Sequence, residues 1–168
     1  MMFGAKARDP EWMVQFAGID RRTARSAAQA LKAQRTREQL IFCRWTIVML
    51  NFEKALYENP DGNLKELWWD MVEKYQLLKR PTDRGGESAD WASKPHFVIA
   101  PVYYHNYMMG ELFAAQLRAT LGNRDNARFG RQLQEKVFAP GMRYEWQEFV
   151  RRATGRPLSP EYFAKELR

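Results

Sequence analysis

The side chains best suited to chemistry are crowded into one stretch, SKPHFVIAPVYYHNYMMGELFAAQL, Ser93 to Leu117. It holds both histidines, His96 and His105, and Tyr103, Tyr104 and Tyr107 of the chain's seven tyrosines. An imidazole titrates near neutral pH, and a phenol can stabilise a developing oxyanion without carrying charge beforehand. Together they could hold a carbonyl oxygen or a carboxylate. They could not by themselves hydrolyse anything: no HExxH, Gly-rich phosphate loop or nucleophile elbow is present. Two histidines nine positions apart cannot clamp a metal from one helix. The competing structural reading stays open, because tyrosines at helical spacing commonly bury their rings and satisfy the hydroxyl locally.

The elements that must position these groups follow from punctuation. Pro95 biases Lys94 away from helix, so SKPHFVIA is expected to be extended. Pro101 suits the first position of a helix running to about Leu121. In that helix Tyr104, Tyr107, Met108 and Glu111 share a face, whereas Tyr103 is turned away by about 100°. Upstream, Asp9-Pro10 opens a short helix, Glu11 to Ala17, closed by Gly18, and Asp20 caps the longest helix, Arg21 to Tyr57. The core stripe of its second half is Leu40, Ile41, Trp45, Val48, Met49, Phe52 and Leu56. After the NPDGN turn, Asn63 with Glu66 forms a capping box for LKELWWDMVEKYQLL, whose stripe is Leu64, Trp68, Met71, Val72, Tyr75 and Leu78. RPTDRGGESAD, residues 80 to 90, is the loosest loop and the candidate flap. Helices at Asp125 to Phe138, Tyr144 to Thr154 and Pro160 to Leu167 complete an all-α chain, expected to be one helical domain over residues 1–168.

Composition narrows the class. A hydrophobic fraction of 45% with 14% aromatic residues supports a packed core, and the formal charge is +7. The single Cys43 excludes a disulfide framework and a cysteine-built zinc site, and reads as core. Arg44 interrupts the longest apolar run, LIFCRWTIVML, so no membrane span is expected. The basic stretch RRTARSAAQALKAQRTR lacks the interleaved aromatics a nucleic-acid groove uses, and reads as a solvated helix face rather than a phosphate-binding surface. No nucleic-acid partner is expected. MMFGAKAR has the apolar-then-basic order of a helix ending, so the chain is read as the C-terminal part of something longer, an ordinary short helix being the alternative. Its order is the reverse of a signal peptide.

LWWDMVEKYQ followed by ADWASKPHFVIAPVYYHNYMMGELFAAQL resembles the C-terminal half of angiotensin-converting-enzyme-like zinc peptidases, the peptidyl-dipeptidase A family, especially its bacterial members. MMFGAKARDPEWMVQFAGI resembles the segment that follows the family's third zinc ligand. The likeness covers nearly the whole chain and is most specific at HFVIAPVYYHNY. It implies a multi-helix C-terminal subdomain of a zincin-like helical peptidase, with a substrate cleft. The zinc, and the HExxH helix and glutamate that bind it, would belong to an N-terminal half of the parent preceding Met1, so no metal ligand and no bound cofactor is expected in this chain.

The substrate would be a peptide. By the resemblance, His96 hydrogen-bonds its backbone, Lys94 and Tyr104 hold its C-terminal carboxylate, and Tyr107 stabilises the tetrahedral oxyanion. The family pattern has one residue fewer between the histidine and the first tyrosine, a count that Tyr103 satisfies. Tyr104 is preferred because the YxxY spacing and Gln116 then match, but the choice between Tyr103 and Tyr104 stays open. Asn106 stands where animal enzymes carry a chloride-binding arginine. Without the metal half the chain should be catalytically silent. The alternative is a non-catalytic helical binding or scaffold module. Trp69, about 100° from Trp68 on its helix, would if exposed mark a surface for the missing half and favour a homodimer of the fragment. The residues leave the compartment open; export to the periplasm is implied only by the resemblance.

Overall fold

Caps fix where the helices begin and end in the computed structural model of the chain, which describes residues 2–82, 88–122 and 126–167. Among these the chain is all-helical, with no strand. Helix α1 spans Met2–Lys6. Helix α2, Pro10–Ala17, starts where Asp9 Oδ1 accepts the Glu11 amide at 2.9 Å and stops at Gly18, whose φ of 66° is left-handed and costs glycine nothing. Asp20 Oδ1 accepts the amides of Arg22 and Thr23 and launches α3, Arg21–Glu58. Helix α4, Leu64–Met71, begins at Asn63, whose side chain accepts the Glu66 amide, while the Glu66 carboxylate pairs with Arg80 Nη1 at 2.8 Å. It continues as a π-helical turn, Val72–Gln76, ended by a left-handed Leu77.

A 3-10 turn, Asp90–Ser93, leads to α5, His96–Ile99, and then to α6, His105–Leu121. Helix α7, Asn126–Leu133, runs into a second π-helical turn, Gln134–Phe138; α8 spans Trp146–Thr154 and α9 spans Glu161–Glu166. Part of the expected flap, residues 83–87, and the expected start of the Asp125 helix lie outside the described residues. No helix among those described is long and apolar enough to cross a membrane.

The chain divides into two compact units, Met1–Thr36 with Met109–Arg168, and Arg37–Met108. The first packs Leu117, Leu121, Phe129, Leu133 and Ala153. Gln116, fully buried, ties it further: its Nε2 donates to Thr154 Oγ1, Arg156 O and Pro157 O, and its Oε1 accepts the Ser159 amide. In the second unit Val48, Met49 and Phe52 are wholly enclosed with Trp68, Val72 and Phe97. The expected stripes were correct at Val48, Met49, Phe52, Trp68 and Val72 but not at Leu40 and Ile41, which are 48% and 60% exposed, or at Leu78, which is 57% exposed.

Two departures bear on the site. SKPHFVIA is not extended beyond Pro95. Lys94 is extended, with φ −91° and ψ 102°, but the proline's fixed φ then starts the helical turn α5. Nor does Pro101 open α6. It lies in a turn followed by Val102 at φ 54°, and α6 begins only at His105, so Tyr103 and Tyr104 precede the helix.

Candidate functional site

The site lies wholly in the Arg37–Met108 unit, and the aromatic core builds it. Phe97, directly after His96, packs at 5.3 Å centroid distance against Phe52 of α3 and at 6.2 Å, edge-on, against Trp68 of α4. This anchors α5 through its buried residue and leaves His96 half-buried beside it. The turn after α5 is held from α3 as well: Glu53, only 5% exposed, accepts the Val102 amide on Oε1. A β-branched residue at positive φ is costly, and this hydrogen bond helps hold it there. The consequence is positional, since the next two residues are Tyr103 and Tyr104.

His96, Tyr104 and Tyr107 converge. The His96 ring meets Tyr104 at 4.8 Å and Tyr107 at 5.9 Å, both edge-on, and the two phenol rings are 5.1 Å apart. Tyr107 Oη lies 3.4 Å from His96 Nε2, a long contact whose donor depends on the imidazole tautomer. Tyr104 Oη accepts a hydrogen bond from Trp45 Nε1 at 2.6 Å. Because an indole can only donate, the Tyr104 proton is left to donate elsewhere. Burial pushes the Tyr104 phenol above its ordinary value; the Trp45 hydrogen bond works against this, and neighbouring Tyr107 adds to it. Tyr104 is therefore a neutral donor at physiological pH.

Lys94 belongs to the same neighbourhood through Trp45, its Nζ lying 5.5 Å from the centroid of the indole that holds Tyr104. A cation over an indole face is attracted by the ring quadrupole.

The shared helical face expected of Tyr104 and Tyr107 is not what joins them, because Tyr104 is outside α6. Nor is Tyr103 turned away: its ring meets Tyr107 edge-on at 5.5 Å, although it is 47% exposed. Tyr104 is distinguished by its Trp45 hydrogen bond and its closeness to His96. Glu111, expected on the tyrosine face, is buried and committed in the other unit to Arg35, whose Nη2 reaches both carboxylate oxygens at 3.0 Å. Trp69 is half-buried, with Nε1 donating to Asp90 Oδ2 at 3.0 Å, so it is not the open apolar patch on which the homodimer expectation rested.

Trp45 and Glu53 were missed as parts of the site. Trp45 read as one member of a core stripe, and Glu53 is one charge in a helix rich in them. Only the three-dimensional return of the chain to α3 identifies their partners.

The donors present do not fit a zinc centre. His96 faces phenols, and among the described residues no group of three His, Cys, Asp or Glu side chains could hold a metal ion. What the arrangement offers is a set of hydrogen-bond donors and one cation beside an aromatic wall. Among the described residues the chain is all-α and carries an imidazole–phenol cluster. The chain matches no family model, no curated protein and no solved structure.

Proposed function

We propose that the chain is the substrate-gripping and oxyanion-stabilising portion of a zinc-dependent peptidyl-dipeptidase or oligopeptidase, and that alone it binds peptides without cleaving them. The observation that carries this reading is the convergence of His96, Tyr104 and Tyr107 on one another, with Lys94 joined to them across Trp45. His96 hydrogen-bonds the peptide backbone. Tyr107 donates its phenolic proton to the carbonyl oxygen as charge develops there. Tyr104, whose oxygen is already occupied by Trp45, donates to the C-terminal carboxylate that Lys94 attracts. In such a parent a bound zinc would supply the Lewis acidity for hydrolysis, while the residues named here would bind and orient the peptide.

Two measurements test this. With only two histidines in the chain, their imidazole proton resonances are separable, and His105→Gln assigns them. A peptide with a free C-terminus should shift the His96 signal and leave His105 unmoved, and its amide should bind more weakly. In a parent that binds zinc, Tyr107→Phe should lower kcat/KM by about 10² to 10³, the usual cost of an oxyanion donor. No response at His96, or full activity of that variant, would leave the chain as a helical binding or scaffold module.

A further inference from the structure

A cavity of about 420 Å³ opens beside Lys94, and apart from Lys94 and Trp45 its lining has no part in the peptidase reading. Its apolar wall is three indoles, Trp45, Trp68 and Trp69, with Val72 and Leu78, and Lys79, Lys94 and Asp90 also line it. The wall is rigid for identifiable reasons. Trp68 is 3% exposed, held edge-on by Trp45 at 5.7 Å and by Phe52 at 5.0 Å. Trp69 is fixed by its hydrogen bond to Asp90.

Among the described residues that line the cavity, the charges are unbalanced. Two ammonium groups face one carboxylate, and that carboxylate already accepts from an indole. Neither Lys79 nor Lys94 is within ion-pair distance of a carboxylate among the described residues. A ligand that satisfies this lining has a flat apolar body and a single negative charge. The volume admits about one aromatic residue, since sites for drug-sized ligands run from roughly 300 to 1,000 Å³. A net surplus of one positive charge suits a monocarboxylate better than a multiply charged phosphate ester.

We propose that this cavity binds an aromatic carboxylate, its ring against the indoles of Trp45 and Trp69 and its carboxylate between Lys79 and Lys94. The ligand is either a free aromatic acid or the C-terminal aromatic residue of a peptide. The second source rests on the reading above, in which Lys94 receives the peptide's C-terminal carboxylate, and would make the site selective for peptides ending in an aromatic residue.

The test uses the whole chain, with N-acetylphenylalanine, its amide, N-acetylglycine and a short peptide ending in phenylalanine as probes. The indole N–H resonances of Trp45 and Trp69, assigned by Trp→Phe variants, are followed together with the His96 signal. N-acetylphenylalanine should shift both indole signals; the amide, which loses the charge-assisted contact, and N-acetylglycine, which keeps the carboxylate but loses the buried ring, should each bind about tenfold more weakly. Lys79→Met and Lys94→Met should each weaken the acid by a similar factor.

If the peptide shifts the indoles as the acid does, the C-terminal residue is the natural occupant. If the acid binds with this lysine dependence but the peptide does not, the cavity stands as a site for free aromatic acids and the peptidase reading fails. A peptide that shifts His96 but neither indole leaves the peptidase reading standing and overturns the cavity proposal. Equal binding of acid and amide, or affinity indifferent to both lysine substitutions, also overturns it.

Discussion

Val102 gives the sharpest test of how the site is held. Its φ of 54° is left-handed, its side chain is 62% exposed, and its amide donates to the buried Glu53 carboxylate. Any residue with a Cβ pays about 1–2 kcal/mol to stand in this region. Glycine pays none of that, but loses roughly 0.5–1 kcal/mol more backbone entropy on folding. Val102→Gly and Val102→Ala forfeit nearly the same small amount of side-chain burial, so their difference isolates the backbone. Val102→Gly should therefore be more stable than Val102→Ala by about 0.5–1 kcal/mol.

At Val98, 79% exposed within helical α5, the order should reverse, because there the backbone has no need of glycine and alanine is favoured by roughly 0.5–1 kcal/mol. Urea unfolding followed by tryptophan fluorescence reads both pairs. With slopes of about 1–3 kcal/mol/M, the midpoints within each pair should differ by a few tenths molar. If Val102→Ala proves the more stable of its pair, the turn does not hold a left-handed residue at this position, and the account of how Tyr103 and Tyr104 are presented to His96 fails with it.

Three further outcomes are expected. Phe52→Ala removes the ring against which Trp68, Trp91 and Phe97 pack, and should cost about 3–5 kcal/mol; amide hydrogen exchange should accelerate across α5 as well as α3. Gln116→Leu leaves the Ser159 amide and the Pro157 carbonyl without their side-chain partner and should cost about 2–4 kcal/mol, with Ser159 exchange rising most. Tyr104→Phe should remove a phenol that ionises above the ordinary range in an alkaline absorbance titration. Because burial raises that phenol's pKa above its unfolded value, the neutral form is the one the fold favours. Its contribution is whole below the ordinary phenol range and is lost as pH rises through the folded value; the Phe variant should lose less stability over that interval. Identical alkaline titrations of the two proteins would sink the argument.

The legible parts of the fold were those governed by neighbouring residues. Asp9-Pro10 with Gly18, Asp20 and Asn63 placed helix ends to within a residue or two, because a cap acts on amides two or three positions away. The illegible parts depend on distant residues. Nothing local distinguishes a Pro101 that starts a helix from one that sits in a turn; a carboxylate on α3, 49 residues back along the chain, holds the turn. The π-helical turns at Val72–Gln76 and Gln134–Phe138 carry no local signal either.

The candidate site divides the same way. Its residue types were legible, since His96, Lys94, Tyr104 and Tyr107 stand out in a chain with two histidines. Its geometry was reached by the wrong route. The expected i, i+3 face would have put Tyr104 and Tyr107 in register on one helix; instead Tyr104 arrives from the preceding turn and is fixed by Trp45, 59 positions away. That difference changes what each phenol can do. A Tyr104 on α6 would move with Tyr107 as one rigid face. Held from α3, it takes its orientation from an indole that also lies under the Lys94 ammonium. Trp45 therefore couples the two groups that the proposed reading gives to a carboxylate, whereas the Tyr107 hydroxyl has its 3.4 Å contact with His96 and no tie to that indole.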